Sequence, residues 1–272
     1  VTLFGFVLGF AIFIGAILHE TQEATLFVNP HGLLIVFGGS LAAAFAGFHG
    51  GELVRSVTSL KFIFRKVSED PRKYVSMFEG LAQKVSQGGL SAIEEEVSAL
   101  PEGFAKEGLD LLVNGFKRDE IVDIMDTRLE TMALAEQSDS NLFRTMATLA
   151  PGFGLVGTLI GLIIMLTKLE DVSKVAPSMA TAMTATFYGV ILANLIFLPL
   201  SVKISRRLDS KLWLYELIKA GVLMLYEKRN PLYVREKLGA YLDPSVRKKI
   251  SVEAGAAVRA SVAARKPAAA KA

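Results

Sequence analysis

Four stretches of this 272-residue chain, 2–18, 33–48, 145–167 and 175–202, contain no Asp, Glu, Lys or Arg. About 20 apolar residues in a helix cross the ~30 Å hydrocarbon core of a bilayer, and a charge at its centre costs at least ~2.5 kcal/mol. Charges are plentiful elsewhere, at 21% of residues, so their exclusion from four stretches marks candidate membrane spans rather than a charge-poor protein. The third and fourth stretches are comfortably long. The first is about 26 Å long at ~1.5 Å per residue and the second is similar, so both are expected to extend into the interface through His19 and His49. A secretory signal peptide is the competing reading of the first stretch. No basic residue precedes its apolar run, which favours a retained helix.

Orientation follows from the basic residues, which cytoplasmic loops retain. The connection between the first two spans holds Glu20 and Glu23 but no Lys or Arg. Between the third and fourth spans, Lys168 and Lys174 are balanced by Glu170 and Asp171. All other Lys and Arg lie in 50–144 or beyond 202. Those regions, and with them both termini, are expected on the cytoplasmic side.

The fold class expected is all-α: a polytopic membrane protein with four transmembrane helices and a helical cytoplasmic domain. Its parts are spans one and two in 1–49, a cytoplasmic helical domain in 50–142, spans three and four in 143–203, cytoplasmic C-terminal helices in 204–250, and a disordered basic tail in 251–272. Pro71 behind Asp70 suits the first turn of a helix, and Pro101 is expected in another. From Asp119, apolar residues at Ile121, Ile124, Met125, Leu129 and Met132 keep helical spacing with no breaker before the third span. The fourth span continues in the same way through Ile204, Leu208 and Leu217 toward Tyr226. Each is expected to be one long helix entering the cytoplasmic region. The tail is Ala-rich, with Arg259, Arg265, Lys266 and Lys271 and no aromatic residue, so it cannot build a core. It is either a solvated tail or a contact to anionic lipid.

Composition also narrows the chemistry. Zero cysteines exclude a disulfide scaffold and a thiolate ligand set, and three scattered histidines do not make a metal site. No cofactor is expected. The chain carries no clustered Ser, His and Asp set and no phosphate-binding glycine loop, so no enzymatic reaction class is indicated. The pI of 9.0 does not imply nucleic acid, because the basic excess has a membrane explanation. Pumps and voltage sensors place working charges at depth. Here the third span offers Gly152, Gly154, Gly157, Thr158 and Gly161, and the fourth offers Ser178, Thr181, Thr184, Thr186 and Gly189. Small residues let helices approach closely, and hydroxyls can share hydrogen bonds with a neighbour or a partly dehydrated ion. The glycines read as a packing face, while Thr158 and Thr186 suit either packing or an ion pathway. Pro151 and Pro199 lie within or at the ends of these spans, where each frees a carbonyl and can act as a hinge.

Three motifs resemble the A subunit of the bacterial flagellar stator, the MotA/PomA family. The first is Ala-Pro-Gly-Phe-Gly-Leu-Val-Gly-Thr-Leu-Ile-Gly-Leu at 150–162, followed by Ala-Thr-Phe-Tyr-Gly at 185–189 and Leu-Pro-Leu at 198–200. The second is Gly-Gly-Leu-Ser-Ala-Ile-Glu-Glu at 88–95, and the third is Asn-Pro-Leu-Tyr-Val-Arg-Glu-Lys-Leu at 230–238 with Tyr241, Leu242 and Pro244. The likeness covers nearly the whole chain apart from the tail.

The resemblance implies five copies around two copies of a MotB/PomB-type B subunit, whose single membrane helix supplies an aspartate. Cation flow through the bacterial inner membrane would drive torque on the rotor protein FliG. Pro151 and Pro199 match the family's functional prolines, and Glu94, with Glu95 beside it, matches the acidic residue that faces the rotor. The basic residue usual before the double glycine is not matched, since Ser86 and Gln87 stand there. Lys84 is its candidate substitute. As bare chemistry the glutamates also fit a solvated helix face. Sodium-driven members tend to carry threonine at the place of Thr158 where proton-driven ones have alanine. The transported ion, Na+ or H+, is therefore expected to be sodium. Two other readings remain: a subunit of the ExbB/TolQ type that energises the envelope, and a scaffold that docks a cytoplasmic protein without transporting anything.

Overall fold

The computed structural model describes residues 2–20, 27–63 and 70–242, and among them all regular structure is helical. The Ala-rich tail expected to be disordered lies outside the described residues. The chain divides into two compact units, residues 1–67 with 132–209, and residues 68–131 with 210–272.

In the first unit, three helices are long and apolar enough to cross a membrane: Pro30–Gly47, Arg118–Leu166 and Val172–Tyr226, the latter two also contributing residues to the second unit. They correspond to the second, third and fourth spans. The first charge-free stretch lies in the shorter apolar helix Phe4–Glu20. The long helices expected from unbroken periodicity are present, the third span forming the C-terminal part of a 49-residue helix. Its apolar face is largely uncovered within one chain, with Leu155 at 56% and Ile163 at 63% exposure, as suits contact with lipid or another subunit.

The second span begins at Pro30, three residues earlier than charge and hydropathy suggest. Asn29 caps it, its side chain accepting from the Gly32 amide at 2.9 Å, and Pro30 occupies the first turn. Wide π-turns interrupt two spans, at Leu34–Gly38 and Leu192–Phe197. The latter has a clear cause. Pro199 donates no amide bond, and its ring crowds the carbonyl four residues back. The Leu198 amide just ahead reaches back five residues to the Ala193 carbonyl, opening the turn.

The third and fourth spans meet on a seam of small residues. A Cβ built on Gly189 would lie 2.7 Å from the Ala150 carbonyl oxygen, 3.1 Å from the Gly154 Cα and 3.2 Å from the Pro151 Cα. On Gly154 it would lie 3.0 Å from the Thr186 Cα, and on Gly161 2.6 Å from the Ala182 Cβ. Their neighbours are mainly backbone, which cannot swing aside, so glycine sets the interhelical distance. Around the seam Val36, Leu142, Phe143, Met146, Leu192 and Phe197 form the buried core of this unit.

The second unit has an apolar core of its own. Pro71–Gly88 starts on an Asp70 cap that accepts from the Arg72 amide, and it buries Val75, Phe78, Leu81, Ala82 and Val85 at helical spacing. These pack with Ile121, Met125, Leu129, Leu217, Val222, Val234 and Leu238. Each large side chain buried in this way contributes roughly 1.5–3 kcal/mol. Gly221 admits the Phe78 ring, which would lie 2.6 Å from any Cβ there. Pro101, expected in a first turn, instead lies in the loop ahead of Phe104–Val113, because the extended Gly103 intervenes and serves as the cap. Lys219 is held between Asp126 at 2.6 Å and Glu216 at 2.9 Å. Burial pushes its ammonium toward neutrality, but the two carboxylate bonds outweigh burial and leave its pKa above the ordinary 10.5.

Gly189→Ala is expected to lower the unfolding midpoint of the detergent-solubilised protein, by an overpacking cost of about 1–3 kcal/mol. Gly152→Ala, where a Cβ meets nothing within 4 Å, should leave it unchanged or slightly raised. Lys219→Met should destabilise by about 1–3 kcal/mol at neutral pH. A raised lysine pKa stabilises the fold fully below the unfolded value and ceases to do so as pH rises through the folded value. The gap between the parent and Lys219→Met midpoints should therefore narrow above pH 10.5.

Candidate functional site

The small-residue seam brings Thr158 and Thr186 together. Their hydroxyl oxygens are 2.5 Å apart. The Thr158 hydroxyl also lies 3.2 Å from the Gly154 carbonyl oxygen and 3.0 Å from that of Ala182, and the Thr186 hydroxyl lies 3.3 Å from the Gly154 carbonyl. Four neutral oxygens with two hydroxyl protons thus converge, and both threonines remain partly exposed. Two protons cannot satisfy every contact at once, so the hydroxyls have alternative acceptors at no cost in burial. Such a group can replace part of a small cation's hydration shell. It cannot balance the cation's charge, and no carboxylate of this chain lies within the third or fourth charge-free stretch.

Pro151 belongs to the same seam through its contact with Gly189. Pro199 does not. It lies ten residues beyond Gly189, about 15 Å along the helix axis, beside the π-turn.

In the second unit, Glu94 and Glu95 are exposed on Glu94–Ser98. The local sequence dictates this display. Gly89, at φ +73°, ends Pro71–Gly88 in a left-handed conformation that favours glycine, and the chain reverses. Ile93 and Val97, at 0% and 1% exposure, then anchor the short helix in the core, which turns the intervening glutamates outward. Three acidic residues in a first turn also suit the helix dipole. Lys84 is engaged: its Nζ lies 2.5 Å from Glu96, across the turn. Both side chains are about half exposed, so the pair contributes at most ~1 kcal/mol.

One further polar cluster, centred on Asn29, stands at the start of the second span. Asn29, 7% exposed, donates its side-chain amide to the Thr181 carbonyl at 2.7 Å and to the Thr184 hydroxyl at 2.8 Å. Its backbone amide donates to the Tyr188 hydroxyl at 2.8 Å, which in turn donates to the Phe27 carbonyl. The cluster fixes the start of the second span against the fourth, one residue from the helix face that carries Thr186. The Asn-Pro pair at 29–30, a cap followed by a first-turn proline, is the signal that could have revealed it.

The profile of the MotA/TolQ/ExbB proton channel family matches residues 96–216. The motility protein A of Treponema pallidum (strain Nichols) is 34% identical over 252 residues, covering 92% of this chain and 95% of its own. Chemotaxis protein PomA of Vibrio alginolyticus is 30% identical over 248 residues, covering 90% and 96%. The solved structure of the flagellar MotAB stator complex from Bacillus subtilis, 28% identical, superposes with a TM-score of 0.84 over 91% of this chain and 98% of that one. The helical fold accords with that superposition, and the chain belongs to the MotA/PomA family of flagellar stator A subunits, within the wider MotA/TolQ/ExbB family.

Proposed function

We propose that this chain is the A subunit of a sodium-driven flagellar stator, working with a B subunit that brings a membrane aspartate and coupling inward cation flow to torque on the rotor. The chain is an inner-membrane protein, and its proposed contribution is binding and movement rather than bond-making chemistry or a cofactor. The observation that carries the reading is the convergence of the Thr158 and Thr186 hydroxyls with two carbonyl oxygens, in a pair of spans free of Asp, Glu, Lys and Arg. Neutral oxygens suit a metal cation that keeps its charge along the path. A proton passed between water and carboxylate needs no such ligands. The missing negative charge is assigned to the partner, in an assembly of five A subunits around two B subunits with both termini of each A chain cytoplasmic.

Glu94 and Glu95 are the proposed contact to FliG, since burial of Ile93 and Val97 holds them outward. Lys84, bound to Glu96, is assigned the support of this hairpin beside any contact of its own with the rotor. Pro151, within the seam, and Pro199, beside an opened turn, are the proposed points at which ion binding reshapes the spans.

The test is restoration of swimming in a bacterium stripped of its own stator genes, with this chain and its B-type partner expressed together. Swimming speed should saturate with sodium. Thr158→Ala should raise the half-saturating sodium concentration about tenfold, the equivalent of ~1.4 kcal/mol of lost ligation. Glu94→Lys should reduce torque with the sodium dependence unchanged. Full sodium-dependent torque in Thr158→Ala would remove the sodium assignment, and absence of swimming with either ion would overturn the stator assignment.

A further inference from the structure

Three consecutive residues just ahead of the third span each reach a different place in the first unit. The Ser138 hydroxyl donates to Glu52 at 2.9 Å. Asp139 accepts from the Arg55 Nε at 2.9 Å and from the Ser56 hydroxyl at 2.9 Å. Ser140 donates to the Ser201 carbonyl oxygen at 3.0 Å, with the two hydroxyl oxygens 3.1 Å apart. Arg55 also donates to the Ala135 carbonyl at 2.8 Å, one turn earlier on the same helix as Asp139. Glu52 accepts from the His49 amide at 3.1 Å.

Most of this cluster is out of solvent: Ser56 is 1% exposed, Asp139 3%, Ser201 4% and Ser140 7%. Glu52, Arg55 and Ser56 lie on Gly50–Ile63, which directly follows the second span, and Ser201 lies two residues past Pro199 on the fourth. The foot of the third span is thereby bonded to the helix that follows the second span and to the end of the fourth. Apolar side chains would hold these helices with equal or greater stability. A directional charge pair with flanking hydroxyls fixes, in addition, the rotation and height of one helix against the next.

We propose that this clasp makes Asp139, with Arg55, a positioning residue for energy conversion. The clasp compels the feet of the three spans to shift together, so that a change at Thr158 and Thr186 is delivered to Arg118–Leu166 instead of being absorbed by slippage between helices. That helix carries Thr158 and Asp139, and its first residues belong to the unit that displays Glu94 and Glu95. The inference rests on the stator reading above.

The test uses the full chain with its B-type partner in cells, comparing Asp139→Asn, Arg55→Met and the double variant. Ion flux and stall torque are each measured per assembled complex, counted by a fluorescent tag. Each single variant is expected to keep flux within twofold of the parent and to lose at least fivefold in torque. Because the two residues act as one unit, the double variant should fall within twofold of either single one. Flux and torque declining in proportion, torque unchanged in both single variants, or losses that multiply in the double variant would each overturn the clasp. Should Asp139→Asn fail to accumulate, the flux-to-torque ratio in Arg55→Met, which leaves the Ser56 bond in place, decides the matter alone. A parent complex with neither flux nor torque would overturn the stator reading itself, a result distinct from these.

Discussion

Hydrocarbon does not tolerate an unpaired charge, and this constraint organises the molecule. Stretches 145–167 and 175–202 together make a pair of spans without one Asp, Glu, Lys or Arg. Polar function in them therefore rests on neutral groups: hydroxyls, carbonyls, the Asn194 amide and the freed backbone of prolines. Everything charged stands outside those two stretches, in both units, as the Arg55–Asp139 pair of the first unit does. There it forms ordinary ion pairs such as Lys219 with Asp126, or stands exposed as Glu94 and Glu95 do.

The second constraint is distance. With little hydrophobic force between helices in a bilayer, packing and directional bonds must hold them. Gly154, Gly161 and Gly189 provide the packing by letting backbones touch, and the same close approach brings Thr158 within bonding reach of the Ala182 carbonyl. The hydroxyl site is thus a product of the glycine seam. At one end of the third span the Asp139 cluster adds directional bonds, and beside the fourth span Asn29 and Tyr188 do the same. Between them lie the π-turns, where the backbone ladder is widened and its bonds are most readily rearranged.

Much of this was legible in the residues themselves. Charge exclusion gave the location of the spans, and unbroken periodicity from Ile121 to the third span anticipated a single long helix. The small residues from Gly152 to Gly161 and from Ser178 to Gly189 marked a packing face, although not which glycine meets which neighbour. Gly152 faces open space while Gly154 is in tight contact, a difference set by a rotation of the helix that no spacing rule supplies. The cap at Asn29 was missed because hydropathy weighs an amide as a boundary, whereas its amide is satisfied by Thr181 and Thr184 more than 150 residues away. The partnership of Arg55 with Asp139 is separated by 84 residues and carries no local signature. Lys84 was legible as a nearby cation, but its capture by Glu96 depends on how tightly the chain turns at Gly89.

The central claim is a division of labour: this chain supplies neutral ligands and moving helices, and another polypeptide supplies the carboxylate that carries the cation. The most direct measurement places purified protein in liposomes and follows sodium uptake under an imposed membrane potential, first with this chain alone and then with a partner bearing one membrane aspartate. The account predicts no uptake above that of empty vesicles in the first case and uptake abolished by exchanging that aspartate for asparagine in the second. Sodium uptake by the isolated chain would contradict it.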